Sequence, residues 1–81
     1  MELSDYRAQI DQIDRQLVAL FAQRMNTAAG IAAYKKEHGL PVLDPVRERE
    51  KLLDVAAQAP EDMRDYTASL YTMLFELSRC Y

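Results

Sequence analysis

The chain has 81 residues, enough for one domain and only a modest core of its own. Its apolar and charged fractions are those of a soluble globular protein, and its net charge of −3 argues against a general nucleic-acid or membrane-surface role. One cysteine, Cys80, excludes an internal disulfide and fits a reducing, cytoplasmic compartment. The opening Met1-Glu2-Leu3-Ser4-Asp5 lacks the basic region and apolar run of a signal peptide, and no apolar stretch is long enough to span a bilayer.

The first element runs from about Ser4 to Glu37. It has no proline, and Gly30 is its only glycine. Ile10, Ile13, Leu17, Leu20, Phe21, Ala28 and Ile31 recur at the spacing of one helix face. Ser4 is the expected N-cap, and Gly39 and Pro41 supply the stop. Such a helix is ~50 Å long, whereas a compact chain of this size is ~30 Å across, so its apolar stripe needs another chain to cover it.

Two cations lie in that stripe. At 100° per residue, Arg24 falls about 20° from Leu17, and Lys35 projects almost on top of it. A cation on an apolar face needs an anion, because an unpaired buried charge is costly. Arg24 could pair with an acid of the core, and Lys35 could snorkel off the helix end or serve the negative end of its dipole. Two such residues about three turns apart favour an anionic ligand instead. Arg7 lies nearer the start of the helix, on the flank of the stripe.

Gly39-Leu40-Pro41-Val42-Leu43 forms a short apolar connector. The only histidine, His38, has no second ligand nearby in sequence, so a surface position at the helix end suits it better than a metal. Asp44-Pro45 starts a second helix, with aspartate as N-cap and proline in the first turn. Val46, Leu52, Leu53 and Ala56 form its expected apolar side. Of the four consecutive charges Arg47-Glu48-Arg49-Glu50, one or two must face sideways or inward. Pro60 opens a third helix whose expected apolar face is Met63, Tyr66, Leu70, Met73, Leu74, Leu77 and Tyr81, with Ser78 on or beside it. A serine there more often satisfies a backbone carbonyl than serves a ligand.

The chain has no glycine-rich phosphate loop, no metal-ligand spacing and no nucleophile–histidine signal. The expected chemistry uses fixed charges and hydrogen bonds, without cofactor or metal. The reading is an all-α domain over residues 1–81, with helices at about 5–37, 44–58 and 60–81.

Arg7 with Ile10-Asp11-Gln12-Ile13-Asp14, then Leu17, Leu20 and Arg24, then Lys35, then Gly39-Leu40-Pro41-Val42-Leu43-Asp44-Pro45-Val46-Arg47-Glu48 resembles the all-helical (AroQ-type) chorismate mutases. The resemblance runs from about residue 4 to the end, and it is the set that is specific, not any one member. It implies an intertwined antiparallel homodimer that rearranges chorismate to prephenate, on the way to phenylalanine and tyrosine. It further implies that Arg24 and the partner subunit's Arg7 hold the two substrate carboxylates, and that Lys35 reaches the ether oxygen and a carboxylate. Glu48 and the backbone near Asp44 would take the ring hydroxyl, Arg47 would organise the site, and Ser78 would add a carboxylate contact. The family places a glutamine or glutamate one turn after Ser78, at position 82, one past Tyr81. An isochorismate pyruvate-lyase and a regulatory or dimerisation domain of the same fold are the competing readings.

Overall fold

The computed structural model describes residues 1–81 and is entirely helical, without strands. Helix α1 spans Leu3–Glu37, α2 spans Pro45–Gln58, and α3 spans Arg64–Cys80, preceded by a single 3-10 turn at Glu61–Met63. No helix is long and apolar enough to cross a membrane.

Each boundary has a local cause. α1 begins two residues earlier than Ser4 predicts. Glu2 is the N-cap, and its backbone N–H donates to the Asp5 carboxylate at 3.0 Å, so an acid in the first turn does the capping in place of the serine. The helix stops at Gly39, whose φ of 67° is open to glycine at little cost. The Leu40 N–H then returns to the Lys35 carbonyl at 2.7 Å and the Gly39 N–H to the Lys36 carbonyl at 3.3 Å, a Schellman closure. Asp44 caps α2 as expected: its Oδ1 accepts the Arg47 N–H at 3.1 Å, with Pro45 just inside. Pro60 opens the 3-10 turn, not α3 itself, which starts four residues later.

α1 is 35 residues long and sets the longest dimension of a molecule measuring 55 × 25 × 16 Å. The radius of gyration is 15.8 Å, against ~12 Å for a compact chain of this length. α2 and α3 pack on each other, and α3 rests on the C-terminal half of α1. Only Val55 on α2 and Phe75 on α3 are buried, at 7% and 9% exposure. α1 buries nothing, and Leu17, the centre of its stripe, is 57% exposed.

The inward faces of the short helices differ from the expected ones. On α2 the inward side is Leu52, Val55 and Ala56, while Val46 and Leu53 face out. On α3 it is Thr67, Ala68, Tyr71, Leu74, Phe75 and Ser78, while Tyr66, Leu70, Met73 and Leu77 remain exposed, as do Met63 and Tyr81 just outside the helix. α3 is apolar on more than one side. Contacts within the chain cover one strip of it and leave the Leu70–Met73–Leu77 strip open, like the stripe of α1.

Candidate active site

The C-terminal half of α1, the 38–44 connector, the first turn of α2 and the end of α3 enclose a cleft of about 210 Å³. Helical periodicity brings Arg24, Ala28, Ile31, Ala32 and Lys35 of α1 to one wall. The Gly39 turn folds the connector back so that Val42, Leu43 and Asp44 form the second wall. Arg47 and Glu48 follow one turn into α2, and Phe75, Ser78 and Arg79 close the side formed by α3.

Arg24 is half-buried and has no acid partner; the chain's only ion pairs are Lys51–Asp54 and Arg79–Glu48. Pairing of Arg24 with a core acid is therefore not how this structure accommodates the charge. Aromatic faces and a hydroxyl support it instead. Its guanidinium carbon lies 5.3 Å from the Tyr71 ring centroid and 5.6 Å from that of Phe75, and its Nη1 donates to Ser78 Oγ at 3.4 Å. Cation–π contacts of this kind are worth about 0.5–2 kcal/mol and leave the remaining N–H groups free to bind an anion. Tyr71 and Phe75, which the sequence reading did not single out for the site, thus fix its main cation.

Ser78 plays the modest part foreseen for a serine on this face. Its hydroxyl donates to the Leu74 carbonyl at 2.8 Å while its oxygen accepts from Arg24. To donate to a substrate carboxylate, the hydroxyl must first leave Leu74. Lys35 is half-buried in the last turn of α1, faces the cleft and is unpaired. Arg47 also faces the cleft without an acid partner. The Asp44 carboxylate is engaged in capping α2, and the backbone N–H of Asp44 makes no hydrogen bond within the chain. Glu48 is half-buried, and its Oε2 receives Arg79 Nη1 at 2.6 Å.

Six of the seven residues singled out from the sequence therefore meet at one cleft. Arg7 does not. It is exposed, and at 17 residues before Arg24 it lies ~25 Å away along the helix. Arg79 joins the cleft unforeseen. The walls carry four cations (Arg24, Lys35, Arg47, Arg79) and two carboxylates (Asp44, Glu48), a sum of +2 in a chain of net charge −3. A local positive cleft lined with apolar Ile31, Val42, Leu43 and Phe75 suits a small anionic molecule.

The family model for chorismate mutase type II matches residues 6–81. The chain belongs to this family. Among curated relatives it is 44% identical over 46 residues to the T-protein of Haemophilus influenzae, a match covering 57% of this chain and 12% of that protein. It is 38% identical over 48 residues to the chorismate mutase of Methanocaldococcus jannaschii, covering 59% of this chain and 48% of that one. The T-protein of Enterobacter agglomerans is 39% identical over 51 residues, which is 63% of this chain and 14% of the relative. The matched segments thus span less than half the length of these relatives. No solved structure matches the chain.

Proposed function

We propose that this member of the chorismate mutase family rearranges chorismate to prephenate, as a homodimer with two shared sites. The observation that carries the reading is the pair of unpaired cations, Arg24 and Lys35, on one wall of a cleft whose charges sum to +2. They are 11 residues apart, ~16 Å along the axis, and long side chains leaning inward bracket a small dianion between them.

The rearrangement is intramolecular: one carbon–oxygen bond breaks as a carbon–carbon bond forms. It needs no acid, base or nucleophile. It needs a flexible dianion held in a compact, reactive shape, which is a positioning task. Arg24, braced by Tyr71, Phe75 and Ser78, offers a planar fork that matches a carboxylate. Negative charge gathers on the ether oxygen as its bond to carbon breaks, and the Lys35 ammonium stabilises that charge more in the transition state than in the ground state. The Asp44 N–H donates to the ring hydroxyl and Glu48 accepts from it, while Arg47 adds positive potential at the mouth. Apolar walls keep the local dielectric low and strengthen each contact.

The dimer follows from what one chain leaves undone. Its first helix has no buried residue, and Arg7 lies far from the cleft. If two α1 helices run antiparallel, Arg7 of the partner subunit comes level with about residue 29, between Arg24 and Lys35. The two-fold axis then falls near Leu17-Val18. Each site takes Arg7 from one chain and its other groups from the second, and the exposed stripes of α1 and α3 become the interface.

The direct test is chorismate consumption by the purified protein with the product identified. Prephenate is the expected product. Pyruvate released from isochorismate, with chorismate untouched, would favour the lyase reading; no turnover of either would favour a binding domain.

A further inference from the structure

Arg79 is the one charged residue of the cleft that the sequence motifs do not account for. It sits in the last turn of α3, and its contact with Glu48 spans 31 residues of chain. The other ion pair, Lys51–Asp54, is a local pair on α2 outside the cleft, at a looser 3.5 Å. The Arg79 and Glu48 side chains are 41% and 35% exposed, so the pair stands at the cleft lip and adds little to stability. Its consequence is geometric. A glutamate in the first turn of a helix has several rotamers open to it. Arg79 selects one by binding Oε2, and the other carboxylate oxygen has no partner within the chain. One turn back, the Asp44 N–H is a donor without a partner. A fixed acceptor beside a fixed donor suits a hydroxyl, which both donates and accepts.

We propose that Arg79 is a positioning residue: it aims Glu48 so that the free carboxylate oxygen accepts from the substrate's ring hydroxyl. The inference rests on the mutase reading and adds to it the residue that makes Glu48 usable. Arg79 touches Glu48 and not the reacting bond, so its removal weakens recognition of the hydroxyl and raises KM more than it lowers kcat.

The experiment compares chorismate with an analogue lacking the ring hydroxyl, using the wild-type chain, Arg79→Met (which keeps the aliphatic stem), Arg79→Gln and Arg79→Lys. The expected result is a loss of about tenfold in kcat/KM for chorismate in Arg79→Met and Arg79→Gln, carried mainly by KM, the scale of one solvent-weakened charge-assisted contact. The same variants should turn over the analogue like the wild type, and Arg79→Lys should recover most of the loss. Equal losses on both substrates, or no loss on chorismate, would overturn the inference while leaving the mutase reading standing. A wild-type chain that converts neither compound would instead overturn the mutase reading, and this inference with it.

Discussion

From Leu3 to Leu20 every residue of α1 is exposed, whereas from Phe21 onward the same helix has half-buried positions at Phe21, Arg24, Met25, Ala28, Ala32 and Lys35. The apolar period does not change between the two halves. What changes is the company: α3 and the connector fold back against the second half, and nothing in the chain reaches the first. Where neighbours exist, the stripe becomes one wall of a charged cleft. Where they do not, Ile10, Ile13, Leu17 and Leu20 face water, and burying them is a stabilisation this single chain never collects. Arg7 lies on the bare half, away from the cleft. In the proposed dimer a second antiparallel copy would cover that half and bring the partner's Arg7 to the cleft.

The largest effect should come from the occupied half. Lys35→Ala should lower turnover by about 10²–10³-fold, the usual cost of removing one donor from a preorganised electrostatic site, and leave the helical circular dichroism nearly unchanged. If Lys35 only complements the helix end, turnover stays near normal and the loss is confined to about 0.3–1 kcal/mol of stability.

The bare half gives the next contrast. In a single chain Leu17 is exposed, and Leu17→Ala should change stability by no more than about 0.5 kcal/mol. If a partner covers it, denaturant melts should show a loss of about 2–5 kcal/mol per substituted side chain, with a midpoint that depends on protein concentration. Sedimentation of a stable folded monomer at micromolar concentration would contradict the dimer outright.

A smaller effect sharpens the same comparison. A Cβ built at Gly30 meets nothing within 4 Å in this chain. Gly30→Ala should therefore stabilise the helix by roughly 0.5–1 kcal/mol, read from the shift in denaturation midpoint. A destabilised variant would mean that a partner chain or α1 itself makes close use of the bare backbone there.

The parts of this molecule legible in its sequence are those with local causes. Gly39 ending α1 and Asp44-Pro45 starting α2 are positions where one residue's conformational preference decides the outcome, and both hold in the structure. Arg24 and Lys35 could be found because a charge on an apolar stripe contradicts the pattern around it. The inward faces of α2 and α3 were harder to read. α3 is apolar around much of its circumference, so periodicity alone does not decide whether Phe75 or Leu70 turns inward; only the placement of α2 does. Arg79 left no sequence signal because a basic residue in a helix's last turn already has an ordinary explanation, and its partner is 31 residues away. The start of α1 shows competition between two adequate caps, in which Glu2 with Asp5 prevails over Ser4.

The measurement that bears most directly on the proposed shared site is complementation between Arg7→Ala and Arg24→Ala. Each homodimer carries a lesion in both of its sites and should be nearly inactive. When the two variants are mixed, unfolded and refolded, about half of the dimers are mixed if the chains assort at random. In a mixed dimer one site holds both lesions and the other holds neither. Activity should return on refolding, toward about a quarter of the wild-type level per site, because half the dimers each regain one intact site of two. Mixed dimers that are demonstrably present yet remain inactive would contradict it.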